Sequence, residues 1–230
     1  MIKCILFDLD GTLVNTLYDL ADATNYAITK RGYKAREPEE FKMFAGGGSD
    51  VMLRLALGGN TPDEAEFEAI CADYLDFYRE HYIDKAAEYD GLHELISVLK
   101  TQGINLAVVT NKIEEMAVII LNKLFPNSFE YIFGQRKGVP IKPDPTAAIM
   151  IMNELQVKPG ECIFLGDSGV DMLTAVNSGA CPVGVGWGFR EREELLENGA
   201  RYIIDSPDEL YQIINQLNTK EKGELSWITI

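Results

Sequence analysis

The feature that most constrains this chain is an alternation. Short, mostly apolar runs at residues 5–8, 106–110, 163–166 and 182–185, with weaker ones at 131–133 and 202–204, take turns with helical patterns at 112–124, 145–155, 170–178, 191–198 and 207–217. Continuous apolar runs suit strands buried on both faces, and strand–helix alternation predicts βαβ units around a parallel sheet. The expected fold class is therefore α/β: a doubly wound, mostly parallel, Rossmann-like core. Asp144-Pro145 marks one helix start and Gly179 one helix stop.

Between about Thr16 and Tyr82 the alternation ceases. This stretch reads as several amphipathic helices without a convincing strand; Phe67, Ile70, Cys71, Tyr74, Leu75 and Tyr78 fall at helical spacing. The expectation is an inserted helical cap domain, residues 16–84, over the edge of a core made from 1–15 and 85–230. Asp90-Gly91 would mark the return to the core. The tail, 219–230, contains Leu225-Ser226-Trp227-Ile228, too apolar for an idle linker, and the pattern does not place it.

At 230 residues and 47% hydrophobic content, the chain can bury a sizeable core, as one large domain or as a core with a smaller module. With 36 acidic and 21 basic residues, its net charge of −15 repels nucleic acid and anionic lipid, so neither is expected as a partner. Any anionic substrate then needs a locally positive site. Cys4, Cys71, Cys162 and Cys181 are widely spaced without a CxxC pair, which points to buried reduced thiols rather than a disulfide framework or a zinc site. The first ten residues lack the pattern of a cleaved leader, and no run reaches the ~18–20 apolar residues that span a bilayer. A soluble cytoplasmic protein is expected.

In an open parallel sheet, ligands bind at the carboxyl ends of the strands, and the chemically interesting residues cluster there. Asp8-Leu9-Asp10-Gly11-Thr12 ends the first strand with two carboxylates at i and i+2, which face the same side in an extended segment. One can be ionised while the other carries a proton, although a strand end that caps a helix uses the same letters. Thr110-Asn111 ends the second strand, where a hydroxyl, an amide and the following helix N-terminus form a neutral anion cradle; both are also ordinary N-caps. Lys142, in Ile141-Lys142-Pro143-Asp144-Pro145, is pinned in a proline-bounded loop and can supply positive charge. Gly166-Asp167-Ser168-Gly169-Val170-Asp171 delivers a carboxylate from a very apolar strand, which suits Mg2+, a hard cation that takes oxygen ligands. Asp171, one helical turn on, can support that shell; both acids would equally favour a helix N-terminus.

Taken together and in this order, DLDGT, Thr110-Asn111, the Lys142 loop and GDSGVD resemble the four motifs of the haloacid dehalogenase-like hydrolase superfamily, over essentially the whole chain. The resemblance implies a Mg2+-dependent phosphatase working through an aspartyl phosphate. It implies Asp8 as nucleophile and metal ligand, and Asp10 as general acid/base that also gives the metal its backbone carbonyl. Asp167 would be the third metal ligand, with Thr110, Asn111 and Lys142 holding the phosphoryl group. Asp10 argues against the dehalogenase and phosphonate-cleaving branches. A β-phosphoglucomutase-like sugar-phosphate mutase keeps both aspartates, but carries a histidine where this chain has Leu20. A binding module without catalysis would be expected to lose one of these groups.

Ala45-Gly46-Gly47-Gly48 resembles the substrate loop of phosphoglycolate phosphatases, with Gly47 where a polar residue is typical; the glycines also suit a flexible helix–helix turn. Gly186-Trp187-Gly188-Phe189 resembles their C-terminal region. The expected substrate is a small phosphorylated metabolite, phosphoglycolate by resemblance; a pyrophosphatase of the same family shares these stretches.

Overall fold

The computed structural model describes residues 1–225, with side chains described to Thr219. In chain order the elements are β1 (Cys4–Phe7), β2 (Val14–Asn15), α1 (Leu17–Thr29), α2 (Phe41–Phe44), α3 (Ser49–Ala56), α4 (Glu64–His81), β3 (Ala87–Glu88), α5 (Leu92–Thr101), β4 (Asn105–Ile113), α6 (Glu114–Leu124), β5 (Tyr131–Gln135), α7 (Thr146–Glu154), β6 (Cys162–Gly166), α8 (Gly169–Ser178), β7 (Cys181–Val185), α9 (Arg192–Glu197), β8 (Tyr202–Ile204) and α10 (Glu209–Leu225).

Six strands form one sheet in the order β5-β4-β1-β6-β7-β8, and every neighbouring pair is parallel. The chain builds outward from β1 through β4 and β5, then crosses back to β6 on the other side. The carboxyl end of β1 is therefore the switch point at which open α/β sheets bind ligands. Alternation along β1 feeds two cores. Ile5 and Phe7 pack with Leu95 and Leu99 of α5, Ile120 and Leu121 of α6, and Leu210 of α10. Cys4 and Leu6 pack on the opposite face with Ala148, Ile151 and Met152 of α7 and Ala175 of α8.

The helices α1 to α4 gather around a third core. Leu17, Leu20 and Ile28 of α1 meet Phe41, Leu53 and the α4 residues Phe67, Ile70, Tyr74 and Tyr78. Met116 and Phe189 belong to the same cluster, so this helical insert is continuous in packing with the sheet-borne part of the chain. β2 and β3 pair antiparallel where the chain enters and leaves the insert.

The structure departs from the sequence reading in several places. β4 runs to Ile113 with a register shift between Val109 and Ile113, so α6 begins at Glu114 rather than Lys112. Its first turn carries Glu114 and Glu115, and the Glu114 carboxylate accepts the Gly134 N–H at 3.2 Å. That helix N-terminus is therefore acidic and not the anion cradle expected beside Asn111. The helix α5 was not anticipated. Of the cysteines, all free, Cys4 and Cys162 are buried while Cys71 and Cys181 are half-buried. The apolar segment Ser226-Trp227-Ile228 lies outside the described residues.

Candidate active site

Strand register brings the distant motifs level. Phe7 pairs with Val108 on one side and Leu165 on the other, so Asp8, Thr110 and Asp167 emerge together just past that row. Asp8 stays in line through its N–H, which donates to the Leu165 carbonyl at 2.9 Å. All three are nearly inaccessible, as is Lys142.

Lys142 is the electrostatic hub. Its Nζ lies 2.6 Å from Asp8 Oδ1 and 2.6 Å from Asp171 Oδ1. Burial pulls the ammonium's pKa down, but Asp171 and Asp8 outweigh it and hold the group above its ordinary value. Asp171 is fully engaged, because its Oδ2 accepts from both the Ser168 N–H (3.0 Å) and the Ser168 hydroxyl (2.6 Å). Ser168 in turn caps α8. Asp171 thus fixes the lysine that faces Asp8.

Asp8, Asp167 and Asp171 bring carboxylate oxygens within 4.8 Å of one another. Burial, then the charge of Asp171, pushes Asp8 up to about 7 against the pull of Lys142. Burial and the charges of Asp171 and Asp8 push Asp167 well above the usual carboxylate range. With Lys142 as their ion-pair partner, the ionised triad carries two negative charges in excess, the amount that one divalent cation offsets. The donors are all oxygen, which fits a hard ion such as Mg2+. Two oxygens remain for it. Asp8 Oδ2 has no hydrogen-bond partner among the described residues, and Asp167 Oδ1 has only the Thr12 hydroxyl at 3.5 Å.

Asp167 is held by close backbone approach. Its Oδ2 accepts the Phe189 N–H at 2.7 Å. A Cβ on Gly11, whose φ is +86°, would stand 2.2 Å from Asp167 Oδ2, and a Cβ on Gly188 would stand 2.2 Å from Asp167 Cβ. Only glycine allows this loop to reach the carboxylate. The Trp187 indole N–H donates to the Thr12 carbonyl at 3.1 Å, joining that loop to the first motif.

Asp10 points elsewhere. Its Oδ1 accepts the Thr16 hydroxyl at 2.6 Å, and both oxygens meet Lys112 Nζ, at 2.9 and 3.1 Å. Its side chain is not part of the carboxylate triad. The Thr110 hydroxyl accepts the Lys112 N–H at 3.2 Å, keeping its own hydrogen for another acceptor. Asn111 is spent: Oδ1 accepts the Lys142 N–H at 2.8 Å, and Nδ2 donates to the carbonyls of Gly46 (2.9 Å) and Lys142 (3.1 Å). Its side chain therefore anchors the Lys142 loop and the insert.

Above these groups lies a cleft of about 540 Å3 of empty space, part of it open to solvent. Asp8, Asp10, Thr110, Asn111 and Lys142 form its floor, and Gly46, Gly48, Leu20, Met52, Tyr74 and Tyr78 of the insert form its roof. Gly47 does not line it. Arg190 ties the insert down from the core by donating to the carbonyls of Met43 (3.2 Å) and Ala45 (2.7 Å). Sequence reasoning missed Lys112, Thr16 and Phe189. The available signal for Lys112 was a lysine immediately after Thr110-Asn111.

A family profile described as haloacid dehalogenase-like hydrolase matches residues 5–185. The chain belongs to this family. A phosphoglycolate phosphatase of Vibrio parahaemolyticus is 31% identical over 219 residues, covering 93% of this chain and 96% of that protein. A crystal structure from Lactobacillus delbrueckii subsp. bulgaricus, described as a candidate phosphoglycolate phosphatase, is 31% identical with a TM-score of 0.86, covering 92% of this chain and 98% of the other. A second candidate of that kind, from Haemophilus somnus, is 28% identical with a TM-score of 0.86, covering 93% and 98%. The chain thus falls in the phosphoglycolate phosphatase-like branch of the haloacid dehalogenase-like hydrolases, among phosphoric monoester hydrolases. Among the described residues no helix is long and apolar enough to cross a membrane.

Proposed function

We propose that the chain is a Mg2+-dependent phosphatase of a small phosphomonoester, working through an aspartyl phosphate on Asp8, with 2-phosphoglycolate as the substrate. The observation that carries this reading is the buried Asp8 carboxylate at the sheet's switch point, facing Lys142 at 2.6 Å within an acidic triad. Asp8, Asp167 and the Asp10 backbone carbonyl would hold the ion. When bound, Mg2+ supplies charge neutralisation between the carboxylate nucleophile and the phosphoryl oxygens.

The chain's own residues do the rest. Lys142 and the Thr110 hydroxyl orient the phosphoryl group, since such transfer depends on positioning and charge compensation. An Asp8 oxygen attacks phosphorus, the phosphorus–ester oxygen bond breaks, and the leaving oxygen takes the proton of the Asp10 carboxyl. Water then gives a proton to Asp10 and attacks the acyl phosphate, whose phosphorus–oxygen bond to Asp8 breaks to release phosphate. Residues 16–84 act as a cap that limits water during the first step. The enzyme works in the cytoplasm.

Leu20, buried in the cleft roof, favours hydrolysis over mutase chemistry. It offers no polar hold on a second hydroxyl that would have to capture the phosphoryl group. The test is turnover in 18O-water. Label should enter released phosphate, and β-glucose 1-phosphate should not be isomerised even with a bisphosphate activator. Efficient formation of glucose 6-phosphate with little free phosphate would move the chain to the mutases.

A further inference from the structure

The cleft holds a second buried cation that hydrolysis of a phosphate group alone does not need. Among the described residues, Lys142 and Lys112 are the only cationic side chains lining it, and Lys142, bound to Asp8 and Asp171, already serves the phosphoryl group in the reading above. Lys112 is almost inaccessible, and among the described residues its ammonium meets the two oxygens of Asp10 and, at 4.9 Å, the face of Tyr78. An ammonium has three N–H donors, so at least one has no acceptor. A second donor belongs to the ring that Lys112 faces: Tyr78 lines the same cleft, and its hydroxyl is buried without a hydrogen-bond partner among the described residues. Away from the floor, Leu20, Met52, Ile113 and Met116 are apolar, with Ser49 and Tyr74 the other polar side chains of the lining. Such a wall has few partners for the hydroxyls of a sugar.

Two unspent donors, one of them charged, beside the apolar side chains of Leu20, Met52, Ile113 and Met116 call for a small acceptor with negative charge. Their place relative to the chemistry says where on the substrate it sits. In the proposed reaction Asp10 touches the leaving oxygen, and Lys112 lies 2.9 and 3.1 Å from the oxygens of Asp10. A group one carbon beyond the ester carbon therefore falls within the lysine's reach.

We propose that Lys112 recognises a carboxylate on the leaving group, selecting the phosphate esters of 2-hydroxy acids over uncharged alkyl phosphates and sugar phosphates. This rests on the phosphatase reading above and adds to it a specificity-determining residue. A substrate lacking the carboxylate leaves the Lys112 and Tyr78 donors unpaired in a buried site, the arrangement that discriminates most strongly against an analogue missing one polar group.

The test compares kcat/KM for 2-phosphoglycolate and for 2-hydroxyethyl phosphate, which replaces the carboxylate with an uncharged CH2OH, in the full chain with Mg2+. The wild type should favour 2-phosphoglycolate by at least ~100-fold. In Lys112→Met that ratio should fall to within ~5-fold, mainly through KM, and Lys112→Arg should keep a preference of at least ~10-fold because charge is retained. Because the ratio is read within each variant, any general effect of unpairing Asp10 cancels. A ratio unchanged in Lys112→Met overturns the proposal, and so does a wild type that hydrolyses both esters equally. Should Lys112→Met fail to fold, product inhibition of the wild type decides: glycolate must inhibit more strongly than ethylene glycol. A wild type inert toward both esters overturns the choice of 2-phosphoglycolate as the substrate, on which this proposal rests.

Discussion

Asp19 accepts two consecutive backbone N–H groups, from Lys85 at 2.9 Å and Ala86 at 2.8 Å, and so ties the first helix of the insert to the segment by which the chain leaves it. Replacing Asp19 with alanine strips both donors of their partner. We expect a loss of about 1–3 kcal/mol in urea denaturation. An unchanged midpoint would mean that the paired linkers of the insert do not depend on this carboxylate.

Asp8→Asn should leave a folded protein with less than ~1% of the parent turnover, because an amide does not attack phosphorus. Circular dichroism establishes the fold and a phosphate-release assay the loss. Residual hydrolysis above that level in a clean preparation removes Asp8 from its role.

The metal-free protein should become more stable on acidification, contrary to common acid behaviour. Asp8 has a folded pKa of about 7 against 3.8 for its free value, and Asp167 is also raised. A group raised in this way contributes stability that is full below its unfolded pKa and is lost as pH rises through its folded pKa. From pH 8 to pH 5.5 in chelator, stability should rise by about 1–2 kcal/mol. Saturating Mg2+ should raise the melting temperature at pH 8 and flatten or reverse the slope, because the ion favours the carboxylates. A melting temperature indifferent to Mg2+ at pH 8 would dismiss the triad as a metal site.

Gly188→Ala places a methyl group within 2.2 Å of Asp167 Cβ, so the loop or the carboxylate must shift. Displacing a group that orients a metal ligand typically lowers affinity by ~10–100-fold. A Mg2+ titration followed by the fluorescence of the adjacent Trp187 measures it. Wild-type affinity in this variant would show that the loop yields without disturbing Asp167.

Strands such as Cys4–Phe7 and Cys162–Gly166 were legible in the sequence because burial on both faces demands unbroken apolar runs. The carboxylates at their ends followed from the sheet's geometry. The two-residue strands β2 and β3 are too short to carry a period. The helix Leu92–Thr101 did carry one, with Leu92, Leu95, Ile96 and Leu99 on its buried face, directly after the turn taken as the return to the core. Lys112 escaped because a lysine normally signals solvent, and its partner Asp10 lies 102 positions away. The anchoring role of the Asn111 side chain was hidden for a related reason. Nothing local shows that three backbone groups, from Gly46 and Lys142, exhaust its amide.

The fastening of the insert to the core has an evolutionary corollary. Asn111 holds it at the Gly46 carbonyl, and Arg190 holds it at the carbonyls of Met43 and Ala45. All three acceptors are main-chain atoms, present whatever residue occupies those positions. The clasp is thus blind to the letters of the loop it grips. The exposed Met43 side chain is free to drift, whereas Gly46 and Gly48 are held to glycine by their positive φ, so change beside the cleft can proceed at the open positions while the hold on the insert is inherited intact.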